Sequence, residues 1–399
     1  MPRFRPFRGT RYAVDTANLD AVIAPPYDVV TAGERAELVS RSEHNAARLE
    51  IPAEEDGRDR YEGAARLWQR WHEDGVLVTD DEPSFYVYAM GFRDEEGRPR
   101  QTTGVMGALE LSPPGQGVLP HEHTRAKDKT DRLALLRACR ANLSPIWVLS
   151  PVAGLSTLLD PSGPPVARAT DDQGVHHRLW GLRRHGVVST IADAVASAPV
   201  VVADGHHRYE TALAYQEERR AATGGAPGEY DAVLAFVVEL SEEQLTVRPI
   251  HRLLSGLGSE FDLAGALSAH FELTPVDSPA TELPARMAHT GSLALVTPGG
   301  RWLLGPRPET MATAGHSVDS SLLDVALDAL PVHDVVYQHG VDESLAALSS
   351  GVADAVVLLR PATVAQIADV ARGGSRMPPK TTFFEPKLRT GMVFRAVRG

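Results

Sequence analysis

Cysteine is almost absent from the 399-residue sequence, which contains only Cys139. A single thiol excludes an internal disulfide framework and any zinc site built from several cysteines. No stretch approaches the roughly 20 apolar residues needed to span a bilayer. The basic residues at positions 1–7 are followed by no apolar stretch, so they do not form a signal peptide. We therefore expect a cytoplasmic protein without a membrane partner.

Positive charge is scarce relative to negative charge, since 40 Lys and Arg stand against 52 Asp and Glu, for a formal net charge of −12. A nucleic-acid-binding protein needs a basic face, so this balance argues against a nucleic-acid partner but allows a local basic pocket. Hydrophobic residues make up 43% and charged residues 23%, as in ordinary globular proteins. The length allows two or three domains. Composition leaves the oligomeric state open, including a dimer.

The most informative stretch is Ala-Pro-Val-Val-Val-Ala-Asp-Gly-His-His-Arg-Tyr-Glu-Thr-Ala-Leu at 198–213. Its β-branched valine run predicts a buried strand that ends at Ala203. Asp204 and Gly205 break that strand, and the residues from His206 to about Ala222 favour a helix. Strand, tight turn and helix therefore follow one another without a linker.

Three cationic or cationisable side chains stand in the first turn of this predicted helix, namely His206, His207 and Arg208. A helix N-terminus offers unpaired N–H groups and a partial positive charge, so it favours anions and disfavours cations. The conflict predicts a phosphate site formed by these side chains and Gly205. Two plainer interpretations stay open: Asp204 is merely a helix cap, and the paired histidines lie on an ordinary surface.

A second polar cluster, Pro-His-Glu-His-Thr, occupies positions 120–124 and precedes a predicted helix at 127–140. Its histidines lack the four-residue spacing of a zinc protease and would point in opposite directions on a strand, so one shared metal is not expected. The plain interpretation is a solvated loop.

Two proline-rich blocks complete the set of informative motifs. Ala-Pro-Pro-Tyr-Asp-Val-Val at 24–30 predicts a rigid turn, in which Asp28 has at least a turn-forming role. Met-Pro-Pro-Lys-Thr-Thr-Phe-Phe-Glu-Pro-Lys-Leu-Arg-Thr-Gly at 377–391 has basic and hydroxyl side chains, namely Lys380, Thr381, Thr382, Lys387 and Arg389. These groups suit phosphate oxygens, so we expect the segment to return to the active site. The alternative is a frayed, solvated end.

The rest of the sequence predicts an α/β protein of mixed α+β character. Its clearest predicted elements are helices at 32–40 and 58–75, a β-hairpin at 85–92 and 103–111, and strands at 146–150, 175–182 and 232–240. A composition shift near Gly256 indicates a core lobe at 1–255, a smaller α/β lobe at 256–375 and a C-terminal segment at 376–399. His176 and His177 are interpreted as structural or surface residues.

The Asp-Gly-His-His-Arg turn after a valine run resembles the phosphate-binding signature of the ParB/sulfiredoxin superfamily, most closely that of its free-serine kinases. The whole chain also resembles a widespread bacterial family filed as a domain of unknown function, with which it shares the blocks at 24–30, 120–124, 203–213 and 377–391. The resemblance implies a ParB/sulfiredoxin-like core lobe. It also implies a kinase for a small hydroxyl acceptor such as free L-serine, with ATP, ADP or pyrophosphate as the phosphate donor.

Phosphoryl transfer requires neutralised phosphates, correct positioning and a base near the acceptor hydroxyl. The His-His-Arg turn would neutralise the phosphates together with Lys380 or Lys387. The related serine kinases carry a Pro-His-Glu block whose carboxylate is the general base, and this matches Glu122. In those kinases the two blocks lie closer in sequence, so we interpret residues 146–196 as an insertion.

Further site residues follow from the shared blocks. Tyr27, Asp28 and His121 are expected to contact the substrate. Mg²⁺ is the expected cofactor, with Asp204 as a ligand and second catalytic carboxylate.

Other functions remain open on the sequence. ParB-like proteins use a related box to bind CTP as a regulatory switch on DNA, although this sequence shows no helix-turn-helix and no basic stripe. Sulfiredoxin chemistry needs a cysteine in the signature turn, which is Gly-His-His-Arg here. A metal hydrolase based on the paired histidines is a further alternative. The sequence has no Walker A loop and no His-Arg-Asp kinase loop, so a kinase must use a different phosphate cradle.

Overall fold

The computed structural model describes residues 1–13, 18–54, 59–94, 97–113, 115–120, 128–258 and 261–397. These residues separate into two compact units. The first runs to Leu245 and resumes at Pro386, and the second consists of Thr246–Glu385. Within the described ranges, no helix has the length and apolar character needed to cross a membrane.

Strands and helices are numbered in chain order. The strands are β1 (Phe4–Arg5), β2 (Gly9–Tyr12), β3 (Leu77–Thr79), β4 (Phe85–Arg93), β5 (Pro99–Glu110), β6 (Val118–Pro120), β7 (Ala141–Asn142), β8 (Ile146–Ser150), β9 (Ala167–Thr170), β10 (His176–Leu182), β11 (Val200–Asp204), β12 (Ala232–Glu239), β13 (Thr246–Arg248), β14 (His251–Ser255), β15 (Phe271–Pro275), β16 (Leu293–Thr297), β17 (Gly300–Pro306), β18 (Asp334–Gln338), β19 (Ala355–Leu358), β20 (Phe383–Glu385) and β21 (Phe394–Ala396). The helices are α1 (Leu19–Val22), α2 (Ala32–Arg41), α3 (Ala47–Glu50), α4 (Arg60–Glu73), α5 (Asp128–Cys139), α6 (His185–Ala196), α7 (His206–Ala222), α8 (Leu263–Leu267), α9 (Leu283–Thr290), α10 (Pro308–Ala314), α11 (Asp319–Leu327), α12 (Val341–Ser349) and α13 (Val364–Arg372).

A large mixed sheet forms the centre of the first unit, with strand order β6-β11-β8-β12-β5-β4-β10-β9 and β1 paired to β5. The valine run forms β11, parallel to β6 and antiparallel to β8. Val200 and Val202 pack into the same core as Ile146 and Val148. The predicted strand is confirmed, and it ends at Asp204 rather than Ala203.

The predicted hairpin is also confirmed, since β4 and β5 pair antiparallel along their length. Both strands are longer than the apolar runs that predict them. Together with the helices, these strands confirm the mixed α/β class. Helix α6 begins at His185, and its β-branched first half shows no clear helical period in the sequence.

A smaller sheet of the first unit has strand order β3-β2-β21-β7. The fully buried Phe394 of β21 packs against Trp68 of α4, with ring centres 5.4 Å apart. Residues 394–396 are therefore part of the core of the first unit and do not form a frayed end.

The second unit contains a sheet of order β15-β17-β16-β19-β14-β18 and the separate pair β13-β20. Successive residues of a strand face opposite sides of a sheet. Accordingly Leu295 of β16 belongs to one apolar cluster and its neighbour Val296 to another. Helices cover both faces, which buries the sheet on two sides.

Candidate functional site

The site is built on the connection between β11 and α7. Pairing of β11 with β8 shifts register between Val202 and Asp204, and such irregularities redirect side chains at strand ends. Gly205 follows with φ 89° and ψ 28°, and α7 begins at His206. A Cβ atom on Gly205 would lie 3.0 Å from Arg208 Nε and 3.0 Å from Ile146 Cγ2. Glycine is therefore required here by backbone conformation and by space.

The first turn of α7 has no acidic residue, and its cap position receives no side-chain hydrogen bond. Asp204 precedes the cap, and its carboxylate is held by two cations instead of by the helix N–H groups. The interpretation of Asp204 as a helix cap is therefore wrong. The turn keeps the features that favour an anion.

Arg208 is the better buried of the two cations, with 9% of its side chain exposed. Its Nη2 atom donates to Asp204 Oδ2 at 2.8 Å, and its Nη1 atom donates to the carbonyl of Pro145. Within the part of the chain that the structure describes, the buried Nε atom of Arg208 has no acceptor. Burial opposes the charge, but Asp204 and then Asp28 outweigh it and raise the pKa of Arg208. The guanidinium therefore stays charged, with its Nη1 and Nη2 atoms fixed by Pro145 and Asp204.

Lys387 is the second cation and comes from the last sequence block. Its Nζ atom donates to Asp204 Oδ1 at 3.2 Å across a separation of 183 residues, and 13% of its side chain is exposed. Burial alone would raise the pKa of Asp204, but Lys387 and Arg208 outweigh it and hold that pKa well below its usual range. Asp204 is therefore an ionised carboxylate bridging two cations.

The two histidines of the turn begin α7, and both are half-buried. The positive form of His206 also contributes to the low pKa of Asp204. His206 therefore lies within electrostatic range of the carboxylate. His207 occupies the next position of the same helical turn.

The first proline block lies in the same unit and contributes to the same charge cluster. Ala24 and Thr390 exchange two backbone hydrogen bonds of 3.0 and 2.8 Å. Tyr27 and Asp28 stand in a short 3-10 helix and act electrostatically on Arg208. Burial raises the pKa of Tyr27, so its phenol is neutral. Three blocks that are far apart in sequence thus meet around the β11–α7 turn.

Arg132 and Glu50 support this cluster, and no local sequence pattern indicates either role. The Cζ atom of Arg132 lies 4.2 Å from the ring centre of Tyr27. Its Nη1 atom donates to the backbone carbonyl of Glu50 at 2.7 Å. The buried Glu50 carboxylate accepts from Ser144 Oγ at 2.8 Å. An amphipathic charged helix such as α5 is usually solvated, so Arg132 looks unremarkable in the sequence.

Lys380, Thr381 and Thr382 belong to the second unit. Lys380 is exposed and has a φ of 59°. The buried Thr381 hydroxyl donates to the carbonyl of Pro378 at 2.8 Å, so it accepts from Ser320 Oγ at 2.7 Å. A phosphate-binding role for these residues stays a prediction. His121 and Glu122 lie outside the described residues, so their predicted roles also stay predictions.

A preformed magnesium site does not fit the residues around Asp204. Both of its carboxylate oxygens are engaged by cations. No group of three His, Cys, Asp or Glu side chains suited to a metal occurs in the described part of the chain. The described residues around Asp204 therefore do not form a preformed site for a protein-held metal.

A family profile described as "Protein of unknown function (DUF1015)" matches residues 4–330. A comparison with curated protein sequences gives no match. Among solved structures, a free serine kinase in complex with AMP shows 13% identity and a TM-score of 0.37, over 67% of this chain and 83% of that one. SbnI with a C-terminal truncation, from Staphylococcus aureus, shows 13% identity and a TM-score of 0.41, over 71% and 85%. A conserved hypothetical protein from Pyrococcus furiosus shows 13% identity and a TM-score of 0.35, over 67% and 87%.

Proposed function

The chain belongs to the DUF1015 family, and we propose that it is a phosphotransferase. It would transfer a phosphoryl group from a nucleotide or pyrophosphate to a small hydroxyl acceptor. The observation that carries the proposal is the meeting of Arg208 and Lys387 at the N-terminus of α7. The two cations come from motifs that are far apart in the chain, since Lys387 lies 183 residues after Asp204.

The charge arrangement suits a phosphate group. Catalysis of phosphoryl transfer rests largely on positioning and on neutralising the phosphate oxygens. The first turn of α7 supplies backbone N–H groups and a favourable dipole. Arg208 and Lys387 supply two positive charges against the single negative charge of Asp204, which leaves the trio with a net positive charge. A donor phosphate would share these cations with Asp204.

The general base must come from elsewhere in the site. Asp204 is a weak base because its pKa is low and both of its oxygens are held by cations. The Pro-His-Glu resemblance makes Glu122 the proposed base. The same resemblance makes free L-serine the proposed acceptor, with Tyr27, Asp28 and His121 as substrate contacts.

The donor is proposed to be ATP, ADP or pyrophosphate. Mg²⁺ usually binds through one or two carboxylates together with substrate phosphates. We therefore expect any Mg²⁺ to arrive with the donor and to neutralise part of its charge. The protein residues then bind and orient the phosphate that the acceptor attacks.

Phosphorus NMR tests the proposal directly. The purified chain would be incubated with Mg²⁺ and each of ATP, ADP, CTP and pyrophosphate, in the presence of serine, threonine or homoserine. We expect a phosphomonoester resonance with serine and one of the ATP, ADP or pyrophosphate donors. Nucleotide binding without transfer to any acceptor would favour the regulatory CTP-binding alternative. Absence of both binding and transfer would refute the proposed site.

A further inference from the structure

A buried polar network lies in the first unit beside the candidate site. It comprises Tyr88, Asp171, His177 and Arg389, each of which is buried. Asp171 and His177 belong to the segment interpreted above as an insertion, and Arg389 belongs to the last sequence block. The network therefore joins two parts of the chain separated by 218 residues.

The hydrogen-bond directions in this network follow from the chemistry of its groups. An ionised carboxylate can only accept, so His177 Nε2 carries the proton that it donates to Asp171 Oδ2 at 3.0 Å. His177 Nδ1 is then an acceptor and receives the Tyr88 hydroxyl proton at 2.7 Å. Burial lowers the pKa of His177, in agreement with a neutral ring.

The Asp171 carboxylate is the centre of the network. Its Oδ1 atom accepts from the backbone N–H groups of Gln173 and Val175, both at 2.9 Å. Its Oδ2 atom accepts from Arg389 Nε at 2.8 Å and also from Arg389 Nη2. Burial would raise the pKa of Asp171, but the His177 hydrogen bond and the Arg389 charge hold it well below its usual range. Asp171 is thus an ionised carboxylate that its hydrogen bonds hold in position to pair with Arg389.

Arg389 lies two residues after Lys387 and directly before Thr390, whose backbone pairs with Ala24. The segment is therefore held at three neighbouring points: Lys387 on Asp204, Arg389 on Asp171, and Thr390 on Ala24. A lysine side chain is long and flexible, so its ammonium group is positioned only as well as the backbone that carries it.

We propose that the Asp171–Arg389 pair is a positioning pair, which fixes the backbone so that Lys387 reaches Asp204 and a bound phosphate. The part that concerns phosphate rests on the proposed function. The part that concerns Lys387 rests on the contacts of Lys387 with Asp204 and of Arg389 with Asp171. The turn between β9 and β10 then has a defined role, since it provides the anion that anchors the last block.

Amine labelling tests the position of Lys387 without any substrate. The sequence has four lysines, Lys127, Lys129, Lys380 and Lys387, so each modified peptide is easily assigned by mass spectrometry. In Asp171→Asn we expect Lys387 to react about tenfold faster, the factor typical of losing one charge-assisted interaction. The exposed Lys380 is the internal reference and should react at an unchanged rate.

Two further variants make the result decisive. Asp172→Asn removes the neighbouring carboxylate, which is 48% exposed and makes a longer contact of 3.5 Å with Arg389 Nη2. This variant should leave the rate of Lys387 labelling unchanged. The double variant Asp171→Asn with Arg389→Gln removes both charges and leaves no buried unpaired charge, so it guards against simple unfolding. Lys387 labelling should rise in it as well. We call Asp171→Asn and this double variant the anchor variants. Unchanged labelling of Lys387 in both anchor variants would overturn the proposal.

Donor kinetics separate positioning from a general structural role. At temperatures well below the melting transition, the anchor variants should raise the KM for the donor about tenfold and change kcat less. A pair that merely stabilised the fold would lower the melting temperature and leave KM and Lys387 labelling unchanged. If the wild-type chain transfers no phosphate while the labelling result holds, the positioning role stands and the proposed function fails.

Discussion

Helices α2 and α7 lie in the same unit, but their first turns carry opposite charges. Helix α2 begins after Thr31, whose hydroxyl accepts from Glu34 N at 3.3 Å while the Glu34 carboxylate accepts from Thr31 N at 2.7 Å. Helix α7 begins after the left-handed Gly205, with two histidines and an arginine in its first turn. The first arrangement is a reciprocal capping box, and the second has neither a side-chain cap nor an acid in its first turn.

This difference indicates which helix start has a role beyond stability. An acid in the first turn is favourable by about 0.3–1 kcal/mol, and a cation there is unfavourable by a similar amount. The unfavourable cations of helix α7 stand at the place where Arg208 and Lys387 both pair with Asp204. If the first turn of a helix serves only stability, removing its charged side chain should change the free energy of unfolding and leave ligand affinity unchanged. If the turn binds phosphate, the same substitution should weaken binding of the phosphate donor.

The largest effect is expected from Glu122→Gln. The α7 turn lacks an acid that is free to accept a proton, so the base must come from another block, and a positioned base contributes about 10²–10⁴-fold. We expect kcat to fall by that factor while the fold and donor affinity are kept, as measured by steady-state kinetics and calorimetry. Nearly full turnover with every acceptor would place the base elsewhere.

Arg208→Ala is expected to weaken donor binding by about 1–3 kcal/mol, the usual loss for a hydrogen bond to a charged group. Calorimetry with ADP and pyrophosphate measures this loss. Arg137→Ala is the matched control, because Arg137 pairs with Glu218 at the surface with 52% of its side chain exposed. The control should bind the donor normally. Equal affinities for Arg208→Ala and the wild type would remove the site from the α7 turn.

The pH dependence of the unfolding free energy tests the role of the Asp204 charge. Its pKa is lowered in the folded chain, so its stabilising contribution is present above its unfolded-state pKa of about 3.9 and is lost as the pH falls further. We expect wild type to exceed Asp204→Asn in unfolding free energy by about 2 kcal/mol at pH 5. Denaturant titrations should show this gap closing between pH 5 and pH 2. A constant gap would mean that the Asp204 charge is not the stabilising element.

Thr31→Ala is the smallest expected change and completes the comparison. Loss of the cap should lower the unfolding free energy by about 1 kcal/mol. Because α2 binds its own N–H groups, donor affinity should stay at the wild-type value. A loss of donor affinity in Thr31→Ala would show that binding follows stability in general and not the charges of α7.

The sequence was sufficient for features that depend on neighbouring residues. The valine run, the Asp204-Gly205 break and the helix from His206 are local signals, and the structure confirms them. The pairing of Lys387 with Asp204 was expected only as a general return of the last block. The ion pair between Asp171 and Arg389 was not predicted, because no local pattern encodes a contact across 218 residues.

The last block also shows a limit of motif analysis. It looks continuous in sequence, yet Lys380 belongs to the second unit and Lys387 to the first. Its predicted approach of both lysines to one cleft remains a prediction. Deletion of 377–399 would remove Phe394 from a core, so a loss of activity in that variant would not report on the lysines. Single substitutions at Lys387 are therefore the informative experiment.

The position of β21 between β2 and β7 has a consequence for biosynthesis. The ribosome must translate all of Thr246–Glu385 before Lys387 and β21 emerge, a delay on the order of ten seconds at usual rates of protein synthesis. Until then, β2 and β7 lack the strand that joins them, and apolar surface around Trp68 is uncovered. The charge cluster of the first unit is therefore completed only late in translation.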